Sequence, residues 1–168
     1  GAIAVSTKDT AGRVTNDLAG HAEAVVGPVG VVDAVTKQQG TAPQGEDFVR
    51  YVSSPVDLTG IGIELSELLR EFYHEQGVTE NRILLNSLST LLMCSDLQTV
   101  FRFLHVFTGR VQSSQALGVF VIDDSAHDTQ TLSTLKQLFD GIIEVEETES
   151  GSRARLLGIG DDRTWRDL

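Results

Sequence analysis

Apolar residues in this chain fall into two kinds of pattern. The segments 2–6, 29–34, 82–86 and 117–123 are short apolar runs, too brief for helices and bounded by polar or turn-forming residues. They are predicted to be strands. Between them the apolar positions recur every three or four residues. In 60–76, Ile61, Leu65, Leu68, Leu69 and Phe72 share one face, Glu64, Glu67, Glu71 and Glu75 lie away from it, and Gly77 supplies a stop. Segment 96–114, opened by Ser95 or Asp96 as cap, carries the stripe Val100, Phe103, Leu104, Phe107 and Val111. Helices are also predicted over 9–19, with Gly12 a weak point inside it, and over 127–139. A short extended piece covers 49–53 and is stopped by Pro55. Two last strands, 141–147 and 153–158, are separated by Glu149-Ser150-Gly151 and read as a hairpin. Strands alternating with helices predict an α/β fold of three layers. Its sheet is mainly parallel, with helices on both faces and a C-terminal antiparallel hairpin. The 168 residues suit one domain, 1–168, with a flexible loop over 37–48 and a tail over 159–168.

Charge narrows the function classes. Acidic residues outnumber basic ones by 24 to 13, and lysine is scarce: only Lys8, Lys37 and Lys136. An acidic surplus with few lysines suits a protein kept soluble in concentrated salt, where the Debye length of about 3 Å at 1 M makes self-repulsion small. No basic patch with interleaved aromatics offers a nucleic-acid groove. No apolar run reaches the roughly 18–20 residues of a membrane span, and no signal peptide is evident. A lone cysteine, Cys94, rules out a disulfide framework and suits a reducing cytoplasm; it reads as a small core residue. The scattered histidines His21, His74 and His105 show no zinc spacing.

The most informative stretch is 82–92, where the apolar run Ile83-Leu84-Leu85 delivers Asn86, then Ser87, then a second apolar run. A buried strand ending in a polar side chain is how open α/β sheets build ligand sites. This stretch resembles the Walker B strand of the RecA superfamily, most closely its KaiC/GvpD-like branch, where an Asp precedes Ser-Leu-Ser. The resemblance extends to Ala2–Val14, Val29–Val35 and Leu138–Val145. Ser54–Gly60, Phe101–Arg110 and Val119–Gln137 are similar to haloarchaeal RecA/KaiC-like proteins of unassigned role. It implies a RecA-like P-loop NTPase fold, with strands 29–34, 2–6, 82–86 and 117–123 adjacent in that order and the phosphate-loop strand beyond the last.

The departures from that pattern shape the functional expectation. The family's phosphate loop precedes the segment matched by Ala2, so the first strand and loop are expected to be absent from this chain. Thr7–Val14 is its nearest imitation and reads as a helix start, since Thr7 stands for the first glycine and Val14 for the magnesium-binding hydroxyl. Asn86 occupies the Walker B acid position, and Lys8 and Asp9 occupy the positions of a glutamate pair that supplies the general base. A lysine cannot accept a proton at neutral pH, and an amide carries no charge for magnesium. The expected nucleotide-contacting set, weak or vestigial, is Asn86, Ser87, Lys8, Asp9 and Asp123. No catalytic residue, metal ligand or cofactor is expected, with MgATP possible only if a phosphate loop is supplied upstream.

Val121–Asp128 ends a strand with three carboxylates and a histidine, which could hold a cation or sense a phosphate. Equally, Asp124 or Ser125 caps the next helix and Asp128 charges its first turn. Asp33 could approach a ligand or serve turn chemistry. Trp165 reads as a packing anchor. A receiver-like module fits poorly, because 2–6 offers no acid. The expectation is a cytoplasmic, non-hydrolysing RecA/KaiC-like domain with a regulatory or protein-interaction role in a haloarchaeon, self-associating or binding a protein partner. The alternative is an ATP-binding RecA-like ATPase completed by an upstream phosphate loop.

Overall fold

A computed structural model describes residues 1–20, 27–40, 47–149 and 151–168. Residues 41–46 of the loop expected over 37–48 therefore lie outside the described residues, as do His21 and Ser150. The described residues gather into two compact units, Gly1–His127 and Asp128–Leu168.

The first unit is built on a five-stranded parallel sheet flanked by helices. Its strands are β1 (Ala2–Ser6), β2 (Val29–Asp33), β3 (Val49–Tyr51), β4 (Arg82–Asn86) and β5 (Leu117–Val121), in the order β3-β2-β1-β4-β5. The four strands expected from the sequence are adjacent in the expected order, with β4 interior. Register aligns their C-terminal ends: Ser6 lies opposite both Asp33 and Asn86, and Asn86 lies opposite Val121. Consecutive β1 residues Ile3, Ala4 and Val5 are all buried, which requires cover on both faces of the sheet.

The helices of this unit are α1 (Ala11–Ala19), α2 (Leu58–His74), α3 (Leu88–Cys94) and α4 (Leu97–Ser113). The face of α2 read from the sequence is buried, with Ile61, Leu65, Leu68 and Phe72 inward. Gly30 on β2 makes the close approach possible: a Cβ there would meet Leu68 and Phe72 at 3.2 Å. Gly118 does the same for α4 on β5, where a Cβ would stand 3.1 Å from Val111. Asp57 caps α2 from one turn before Gly60, which starts the helix two residues earlier than periodicity indicated. At its other end Gly77 is left-handed, and Val78 donates to the Phe72 carbonyl.

The structure departs from the sequence reading at several places. Leu88–Cys94, read as a continuation of an apolar run, is a separate short helix capped by Ser87. Cys94 is exposed at its end and is no core residue. The helix after β5 is delayed to α5 (Thr129–Lys136), because Asp123 ties down a turn of 3-10 helix over Asp124–Ala126 and Asp128 makes the cap. Ahead of α4 the cap is Asp96, one of the two residues read for that place, and its carboxylate accepts from Thr99 N at 2.9 Å.

The second unit contains α5 and a three-stranded antiparallel sheet of β6 (Ile142–Thr148), β7 (Gly151–Leu157) and β8 (Arg166–Asp167). The hairpin is present as read. The stretch read as a tail instead returns as β8 alongside Arg153 and Ala154. Trp165 anchors that return, with the Arg153 and Arg155 guanidinium groups 4.8 and 4.6 Å from its ring centre. Arg153 and Arg155 also pair with Glu146 and Glu144 across the hairpin.

Candidate functional site

Parallel pairing brings five polar positions to one end of the sheet, and most of them are engaged with one another. Asp33 ends β2 fully buried. Its carboxylate accepts from Ala11 N at 2.6 Å, Val35 N at 2.7 Å, Thr36 N at 2.8 Å and the Thr36 hydroxyl at 2.6 Å. It therefore serves the start of α1 and the turn after β2, a structural task. It also explains why α1 begins at Ala11, since the Thr10 side chain makes no cap.

Thr7 and Ser87 form a buried two-way link between β1 and β4. The Thr7 hydroxyl donates to the Ser87 carbonyl at 2.9 Å and accepts from Ser87 N at 2.9 Å, while Thr7 N donates to the Asn86 carbonyl at 2.8 Å. The Asn86–Ser87 peptide is cis. The Ser87 hydroxyl is turned to the start of α3, within 3.4 Å of Thr90 N. Asn86 is half-buried and its side-chain amide engages no described residue. Ser6 and Asp9 close a local loop: the Ser6 hydroxyl donates to the Asp9 carbonyl at 2.6 Å and accepts from Asp9 N at 3.0 Å. The Asp9 carboxylate faces Arg13 at 3.5 Å.

Past β5 a second polar group assembles. Ser89 on α3 accepts from Asp123 N at 2.9 Å and lies 3.0 Å from His127 Nε2. The Asp123 carboxylate takes the Ser125 hydroxyl at 2.7 Å and the Ser125 amide at 3.1 Å. These bonds hold it below the ordinary carboxylate range, and the nearby His127 and Lys8 charges act in the same direction. Of the residues singled out from the sequence, Asn86 and Ser87 sit together, and Lys8 and Asp123 act on one another electrostatically across the strand ends. Asp9 is turned to α1. Sequence reasoning missed Ser89 and Thr7; the Ser-Leu-Ser run held Ser89 in plain view, but a partner 38 residues away is invisible without topology. Among the described residues no three His, Cys, Asp or Glu side chains gather to hold a metal ion.

Two apolar surfaces of the first unit lie outside this polar end. On β5, Gly118 and Phe120 face α4, where Phe120 meets Phe107 edge-on at 5.7 Å, but Leu117, Val119 and Val121 are 61%, 41% and 41% exposed. Among the described residues β5 pairs with β4 only. The other surface is a groove of about 450 Å³ between α2 and α4, lined by Leu58, Ile63, Phe103 and Val106, with Arg102 and Arg110 at its sides. The stripe read on α4 is mostly core, since Val100, Leu104, Phe107 and Val111 are buried.

Residues 1–145 match a family described only as one of unknown function, DUF7504. The chain belongs to the DUF7504 family. Among curated proteins none matches it. A solved structure similar to this DUF7504 chain is that of an uncharacterised protein, PH0321, from Pyrococcus horikoshii, in complex with an unknown peptide. The TM-score is 0.62 at 15% identity, covering 94% of the DUF7504 chain and 71% of the other. At that identity the likeness concerns the fold. No described helix of the DUF7504 chain is long and apolar enough to cross a membrane.

Proposed function

We propose that this chain is a non-hydrolysing RecA/KaiC-like domain of a salt-adapted cell, acting in regulation by binding protein. The observation that carries the reading is β5, an edge strand of five residues whose outer face is apolar and exposed. An unpaired strand edge with apolar side chains is a template for another chain. A second copy fits it under two-fold symmetry, with two β5 strands pairing antiparallel and the Leu117, Val119 and Val121 rows of the two copies set side by side in one continuous apolar face. The fold-level neighbour was crystallised with a peptide, which is consistent with a protein-binding role.

The residues at the strand ends do not fit a magnesium nucleotide. Asn86 offers an amide where a carboxylate would order the metal's waters, and Thr7, Ser87 and Asp33 spend their hydrogen-bonding capacity on the fold. The Asn86→Asp variant should therefore gain no ATP hydrolysis. A second reading is favoured by the same strand: the margin of β5 is where the resemblance puts a phosphate-loop strand, so a loop supplied from upstream would complete an ATP-binding domain. Calorimetric titration with MgATP in molar KCl separates the two. Binding weaker than about 10 μM, roughly 7 kcal/mol, agrees with the first, and tighter binding favours the second.

A further inference from the structure

We propose that the groove between α2 and α4 is a docking site for an amphipathic helix with an acidic edge, supplied by another protein. The proposal rests on the reading of this chain as a protein-interaction domain, but it concerns a surface separate from β5. Three observations lead to it. The groove is an apolar trough open to solvent, with Ile63 55% exposed on the α2 side, Val106 63% exposed on the α4 side, and Phe103 also lining it. A cleft between two helices is the shape into which a third helix lays its apolar face.

The α4 wall is cationic, against the trend of the molecule. The chain carries 24 acidic and 13 basic residues, yet neither Arg102 nor Arg110 lies within salt-bridge distance of a carboxylate among the described residues, while six other arginines do. Arg110 reaches across from α4 to donate to the Gly62 carbonyl at 2.7 Å and also contacts the Ser66 hydroxyl, so its charge is held at the groove but not neutralised. Arg102 stands two turns away, about 12 Å along the helix axis. A partner helix with carboxylates two turns apart and apolar residues between them is complementary in both respects.

Gly62 is the third observation. It lies inside α2, where glycine costs about 1 kcal/mol relative to alanine. Packing does not require it: the nearest atom to an added Cβ is Arg110 Nη1 at 3.9 Å. What the missing side chain does is deepen the trough between Ile63 and Arg110.

The test uses a synthetic amphipathic peptide of about four helical turns, with leucines on one face and glutamates two turns apart along one edge of it, and its counterpart with lysines for the glutamates. Binding is read by fluorescence anisotropy in low and molar KCl. The glutamate peptide should bind at least about tenfold more tightly than the lysine peptide, with the ratio reversed by Arg102→Glu combined with Arg110→Glu. Gly62→Leu should abolish binding without loss of fold, since leucine favours the helix and fills the trough. Val119→Lys, on the other surface, should leave peptide binding unchanged. Equal binding of the two peptides would overturn the acidic-partner proposal while leaving a protein-binding role standing. Failure of both peptides to bind, or binding unaffected by Gly62→Leu, would remove the groove as a docking site. A self-association lost on Gly62→Leu would mean that a second copy occupies the groove, which also overturns the proposal.

Discussion

The two margins of the parallel sheet are finished differently. On one side β2 is buried from Gly30 to Asp33, with four hydrogen bonds on that last carboxylate, and the edge beyond it, β3, is only three residues long. A short edge strand gives another chain little to pair with. On the other side β5 runs five residues, half-buries one face against α4 and leaves three branched apolar side chains exposed. The contrast separates residues that hold the fold from residues available to a partner: the polar strand ends belong to the first group and the apolar margin of β5 to the second.

Mutations on the two sides should therefore have opposite profiles. Asp33→Ala should be the most damaging change, lowering unfolding free energy by at least about 4 kcal/mol, because it leaves four buried donors without an acceptor and each costs about 1–3. Denaturant titration in molar KCl measures it. Leu85→Ala, in the buried β4, should cost about 3 kcal/mol as a core cavity, whereas Val119→Ala on the open face of β5 should change stability by less than about 0.5 kcal/mol. Comparable losses for the two would mean that the open face of β5 is buried in solution.

Salt gives a smaller effect. With 11 surplus negative charges, the melting temperature should rise by roughly 5 °C between about 0.1 M and molar KCl, as the screening length falls from about 10 to 3 Å. A flat profile would count against salt adaptation. The smallest effect concerns pH. Asp162 is held well below the ordinary carboxylate range by the Thr164 hydroxyl and amide and by Arg166; Asp96 is lowered by Thr99 and Asp123 by Ser125. A depressed folded value stabilises in full above the unfolded value of about 4 and loses that contribution as pH falls through the folded one. Asp162→Asn should lower the melting temperature slightly at neutral pH, and its difference from the native chain should shrink to nothing as pH falls well below about 4.

The elements were legible because buried strands and amphipathic helices write different periods into the sequence, whereas their order in the parallel sheet came from the RecA-like resemblance, since the pattern alone supports only alternation. Boundaries were less so where a side chain from elsewhere decided them: Asp33 fixes the start of α1 from 22 residues away. The Leu88–Cys94 helix was hidden because its apolar run is too short to show a period. At the site, Asn86 and Ser87 could be placed on a strand end from sequence alone. The Thr7–Ser87 link and the Ser89–His127 contact required the sheet to be assembled first. The groove escaped notice because the exposed Ile63 and Val106 lie beside, and not within, the stripes that periodicity marks as core.

Sedimentation velocity in molar KCl, comparing the native chain with Val119→Lys, tests the central claim most directly. The account predicts a species heavier than the 18.2 kDa monomer for the native chain, reduced to the monomer by Val119→Lys with an unchanged melting temperature. A native chain that sediments as a monomer across the concentration range, or a self-associated species indifferent to Val119→Lys, would contradict it.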